Sequence, residues 1–81
     1  MTVEELYQEI YNVIYDSTET DLELTDELHL ITQMGLSSVE IMLMISDLED
    51  RFGIELPISE LRNVETVGHL CQVVLDTLSD Q

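Results

Sequence analysis

Three times along this chain a hydroxyl residue stands immediately before a run whose apolar side chains recur at three- and four-residue spacing. Thr2 precedes Val3, Leu6, Tyr7, Ile10, Val13 and Ile14; Ser37 precedes Ile41, Met44, Ile45, Leu48 and Phe52; Thr66 precedes Val67, Leu70, Cys71, Val74, Leu75 and Leu78. A hydroxyl in that place accepts a hydrogen bond from the first turn of a helix, and the spacing lays one apolar stripe along it. Two of the starts, Thr2-Val3-Glu4-Glu5 and Ser37-Ser38-Val39-Glu40, carry a glutamate at the third helical position and so form capping boxes. No segment alternates as a strand would, so the chain reads as all-α.

The first helix is expected from Val3 to Tyr15 and the second from Ser38 to Phe52, with Gly53 ending it and Pro57 blocking its continuation. A short helical turn is expected near Ile58 to Asn63, and a last helix opens behind Thr66. With 81 residues, 1–81 form a single domain with one modest core, too short for a catalytic cleft between lobes. Tyr7, Tyr11 and Tyr15 are expected to flank the core with their hydroxyls in water. Between Asp16 and Met34 the periodicity fails, and a connection of that length needs fastening; Leu22, Leu24, Leu28, Leu30 and Ile31 are the candidates to pin it across the helix ends. Its acidic residues lack the glycine and closing glutamate of a calcium loop. Neither His29 nor His69 joins a metal-binding or catalytic constellation, so no metal site is expected.

Charge narrows the partners. The chain has 2 basic residues, Arg51 and Arg62, against 18 acidic ones, a net charge of −16. Nucleic acid and anionic membrane surfaces are repelled, whereas basic patches on proteins are attracted. Hydrophobic residues make up 44%, too many for an acidic disordered tail. Neither a leader pattern nor an apolar stretch of about 18 residues is present, so a cytoplasmic monomer is expected. The lone cysteine, Cys71, excludes an internal disulfide and falls on the core stripe of the last helix.

The segment Met34-Gly35-Leu36-Ser37-Ser38-Val39-Glu40 carries the chemistry. Ser37 is engaged as the cap and Glu40 completes the box, which leaves Ser38 at the first helical position, beside the positive end of the helix dipole. An anionic group attached there is favoured. On capping chemistry alone, two serines that merely cap a helix are the favoured reading. Val39, Met42 and Leu43 fall off the core stripe next to Ser38, and in so small a domain they form an exposed apolar patch, ringed by Glu40, Asp47, Glu49 and Asp50. No Ser, His and acid arrangement is evident and no lysine exists, so catalysis is not expected.

Gly35-Leu36-Ser37-Ser38-Val39, followed by Leu48-Glu49-Asp50-Arg51-Phe52-Gly53-Ile54-Glu55-Leu56-Pro57 and by Thr66-Val67, resembles the phosphopantetheine-dependent carrier proteins, above all the free-standing acyl carrier proteins. The likeness spans nearly the whole chain. It implies a small four-helix bundle with a long first loop and a short third helix. It places the family's modified serine at Ser38, joined to 4'-phosphopantetheine from coenzyme A by a phosphopantetheinyl transferase. The thiol of that group would hold an acyl intermediate as a thioester, so that the protein carries substrates for fatty-acid or polyketide enzymes without converting them. Val39, Glu40, Met42, Leu43, Asp47 and Asp50 would then meet acyl-loading and acyl-processing enzymes through basic docking patches. The family's usual aspartate is Ser37 here, its following leucine is Val39, and Leu43 replaces a frequent glutamate. Those departures point toward a specialised pathway. A peptidyl carrier, and a non-carrier acidic module binding a basic partner through the same patch, are the competing readings.

Overall fold

A computed structural model describes residues 2–80. Helix α1 runs Val3–Thr18, α2 Ser38–Phe52, α3 Ile58–Leu61 and α4 Val67–Ser79, and among the described residues there is no strand, only an isolated antiparallel bridge between His29 and Thr66. Thr2, Ser37 and Thr66 are the three N-caps, each side chain accepting from the backbone N–H three residues on. In the first box Thr2 Oγ1 accepts from Glu5 N–H and Glu5 Oε1 accepts from Thr2 N–H, both at 3.1 Å. The backbone bond comes first in holding the Glu5 carboxyl below its ordinary range.

α1 is three residues longer than its apolar spacing predicts. Its last turn is held by polar groups: Thr18 Oγ1 donates to the Ile14 carbonyl at 2.8 Å, and Ser17 Oγ donates to Asp47 Oδ2 of α2 at 2.5 Å. Helix α2 ends as its glycine dictates, with Gly53 at φ 63 and its N–H on the Glu49 carbonyl. Glu49 then turns its side chain to the departing strand of chain, accepting from Leu56 N–H at 2.9 Å.

The core is assembled from every part of the chain. Leu6, Ile10, Val13 and Ile14 of α1 meet Met44 and Leu48 of α2 and Val67, Leu70, Cys71, Val73 and Val74 of α4, while Ile54 and Leu56 close it behind α2. Helix α2 contributes only Met44 and Leu48 as fully buried residues, one turn apart, so most of its circumference faces outward.

The long connection is fastened as much by hydrogen bonds as by apolar anchors. Leu24, Leu30 and Leu36 are buried and Leu28 packs against the core, but Leu22 and Ile31 are 42% and 56% exposed and pin nothing. Leu30 N–H donates to the Glu65 carbonyl at 2.8 Å, Val67 N–H to Leu28 at 3.0 Å and Gly68 N–H to Asp26 at 2.9 Å, stitching the loop to the start of α4. Two tyrosines complete the seam rather than leaving their hydroxyls to water alone. Tyr11 Oη donates to Asp26 Oδ1 at 2.5 Å, and Tyr15 Oη accepts from Leu24 N–H at 2.9 Å. Loop and helix approach so closely that a Cβ at Gly68 would stand 2.8 Å from the Cβ of Asp26 and 2.9 Å from its carbonyl oxygen.

This packing has an alkaline consequence. Burial, reinforced by the Asp26 charge, pushes the Cys71 thiol up to about 12; burial also raises Tyr7, and raises Tyr11 together with its bond to Asp26. These groups keep protons in the folded state that the unfolded chain releases, so their contribution is complete below about pH 9 and is lost as pH climbs toward 12. The urea midpoint is expected to fall steadily between pH 9 and 11. In Cys71→Ala the fall should be shallower, and an equal slope in both proteins would contradict the assignment.

Candidate attachment site and its surroundings

The turn before α2 is built to hold one hydroxyl and free the next. Gly35 takes φ 69, a region that costs an L side chain about 1 kcal/mol or more, and so lets the chain reverse. Leu36 then plunges into the core at 7% exposure, its N–H on the Leu30 carbonyl at 3.1 Å. From that anchor the chain emerges at Ser37, whose Oγ accepts from Glu40 N–H at 3.2 Å while Glu40 Oε1 accepts from Ser37 N–H at 3.1 Å. The capping box expected from the sequence is complete.

Ser38 follows, exposed, as the first residue of α2. No side-chain hydrogen bond among the described residues engages its hydroxyl. The helical ladder starts with Ile41 N–H on the Ser37 carbonyl at 3.0 Å and Glu40 N–H is taken by the cap, which leaves the amides of Ser38 and Val39 as the free donors of this helix end. A phosphate ester on Ser38 Oγ would lie beside them and at the positive end of a 15-residue helix. The residues present therefore fit an attached phosphate group.

Val39, Met42 and Leu43 stand beside it at 65%, 69% and 58% exposure, as their position off the core stripe implied. The structure extends this patch in a direction the sequence reading did not. Ile58 of α3 is 71% exposed, and with Met42, Ile45, Leu61 and Arg62 it lines an open apolar groove of about 480 Å³ between α2 and α3. Its sequence signal was an isoleucine directly behind Pro57, in a helix too short to show a stripe.

The acidic rim is less free than expected. Glu40 is held in the cap, Glu49 by Leu56 N–H and Asp47 by Ser17, so Asp50 is the member of the ring without such a tie among the described residues. Asp47 and Asp50 share a polar cleft with Asp16, Ser17 and Arg51 on the α1 side of the helix. Arg51 is itself paired with Glu9.

An exposed serine thus stands at a capped helix start, on an all-α fold, with an apolar and acidic flank beside it. The family model for the phosphopantetheine attachment site matches residues 2–74. The chain is 30% identical to an acyl carrier protein from Saccharopolyspora erythraea over 80 residues, 98% of this chain and 84% of that one. It is 32% identical to an acyl carrier protein from Lactobacillus acidophilus, over 84% of this chain and 86% of the relative. Among solved structures it superposes on a Mycobacterium tuberculosis protein, provisionally assigned as an acyl carrier protein, with a TM-score of 0.82 at 27% identity, covering 88% of this chain and 96% of that one. A holo acyl carrier protein from Geobacter metallireducens has the same fold, with a TM-score of 0.80 at 21% identity over 91% of this chain and 86% of that one. The chain belongs to the acyl carrier protein family, and its cofactor is 4'-phosphopantetheine.

Proposed function

We propose that Ser38 is the attachment residue and that the protein is a cytoplasmic carrier delivering acyl intermediates to biosynthetic enzymes of fatty-acid or polyketide type. The observation that carries this reading is the division of labour between adjacent hydroxyls: Ser37 is committed to the cap, whereas Ser38 is exposed and unengaged beside two free amides. When bound, the phosphopantetheine supplies a thiol on which the acyl group is held. The chain's own part is to present the Ser38 hydroxyl to a transferase, to bind the resulting phosphate with the Ser38 and Val39 amides, and to dock. Val39, Met42, Leu43 and Ile58 offer apolar contact, and Glu40, Asp47 and Asp50 add the negative field that draws a basic enzyme surface and raises its association rate. Leu43 leaves this face less charged near the serine, which supports partners of a specialised pathway.

Incubation with a phosphopantetheinyl transferase and coenzyme A should add about 340 Da, one phosphopantetheinyl group, to the intact protein. Ser38→Ala should gain nothing while keeping the wild-type circular dichroism. Ser37→Ala should still be modified, with stability lower by about 1 kcal/mol for the lost cap. Modification of Ser38→Ala but not of Ser37→Ala would move the site to the neighbouring residue.

A further inference from the structure

Ahead of Ser38, residues 29–36 form a helical turn within the long connection, and its start is capped by a histidine. The backbone N–H groups of Ile31 and Thr32 donate to His29 Nδ1 at 3.2 and 3.1 Å, while the Gln33 side-chain oxygen accepts from His29 N–H at 2.7 Å. This is a reciprocal cap with an imidazole nitrogen in the role usually taken by a hydroxyl. The His29 carbonyl then accepts from Gln33 and Met34 N–H at 3.2 and 3.0 Å, and Gly35 N–H closes on Ile31 at 3.0 Å. A ring nitrogen that accepts two N–H groups carries no proton, so the proton of the neutral ring lies on Nε2, 3.8 Å from Glu65 Oε2. Among the described residues Glu65 is the carboxylate within 4 Å of this ring; Gln33 in its own turn and Thr66 across the bridge are uncharged.

We propose that His29 is a proton-operated latch on the turn that leads into Ser38. Imidazole is the side chain that ordinarily gains its charge between pH 5 and 8. The second proton has only Nδ1 to occupy, where it would face the N–H groups of Ile31 and Thr32, so the charged ring must leave the cap. Glu65, 3.8 Å from Nε2, favours the imidazolium, so the conflict falls at Nδ1, where the two N–H groups oppose a proton. The change stays local because Leu30 and Leu36, at 1% and 7% exposure, anchor both ends of the turn. What loosens is the arc 31–35, whose last residue is the Gly35 hinge, two residues before the Ser37 cap. The latch concerns the backbone alone and operates whether or not Ser38 bears a group.

Nitrogen-15 NMR on the unmodified protein tests this as pH is lowered from 7.5. At pH 7.5 the His29 ring should show the Nε2–H tautomer. As the ring protonates, the Ile31 and Thr32 amide signals should move with its titration, and their hydrogen-exchange protection should drop roughly three- to tenfold, the loss of one cap. His29→Asn supplies an oxygen cap that does not titrate and should hold both amides constant over the same range, whereas His69→Gln should leave the wild-type behaviour intact. An Nδ1–H tautomer at pH 7.5, amides that ignore the ring titration, or the same movement in His29→Asn would each overturn the proposal.

Discussion

Leu48→Ala is expected to remove about 3–5 kcal/mol, the range for truncating a fully enclosed leucine when its surroundings relax only in part. A chain of this length has about 4–12 kcal/mol in all at the usual 0.05–0.15 kcal/mol per residue, so this one truncation removes from about a quarter to all of the stability. The size of the effect follows from how little of α2 is buried. Leu48 and Met44, at 0% exposure, are the fully buried residues of that helix, while Ile41, Ile45 and Phe52 pack only in part against the core. Ile45→Ala makes the comparison informative, because Ile45 is half-buried and lines the α2–α3 groove. Urea denaturation followed by circular dichroism should show Ile45→Ala costing less than half as much as Leu48→Ala. Equal costs would mean that the groove is packed as tightly as the core.

Gly68→Ala is expected to destabilise by about 2 kcal/mol, although alanine suits a helix better than glycine, by about 1 kcal/mol in an interior and less in the first turn, where Gly68 stands. The sign is decided by the contact. A new Cβ would meet the Cβ of Asp26 at 2.8 Å and its carbonyl oxygen at 2.9 Å, and backbone does not step aside as the end of a flexible side chain does. Moving residue 26 away breaks the Gly68 N–H bond to its carbonyl and strains the bond from Tyr11, so overpacking of about 1–3 kcal/mol is joined by lost hydrogen bonds. Thermal melting and hydrogen exchange should show a lower midpoint and early release of Leu24, whose N–H sits on Tyr15. A melting temperature above wild type would show that the loop yields freely and that helix propensity dominates.

The three long helices and the candidate attachment turn were legible in the sequence as structure because their determinants are local. Thr2, Ser37 and Thr66 each announce a start within three residues, and Gly53 announces a stop. The patch of Val39, Met42 and Leu43 was legible too, since a helix of known phase in a small domain has only so much surface to bury. What escaped is what depends on residues far apart. The last turn of α1 is set by Ser17 reaching Asp47 thirty positions away. Nothing in the composition of residues 16–34 shows that Leu24 and Leu30 turn inward while Leu22 and Ile31 face water, because backbone pairing with residues 65–68 makes that choice. The same holds for His29, which looked unattached until its ring met two amides of its own turn and Glu65.

The seam between the long connection and the start of α4 has a further meaning in time. Residues 26–30 are spliced to residues 65–68, and Leu36, the anchor from which Ser38 emerges, hangs from Leu30. During synthesis the serine leaves the ribosome some thirty residues before its partners in that seam. Its final bearing therefore waits on residues 65–68, and the hydroxyl owes its presentation to a segment made after it.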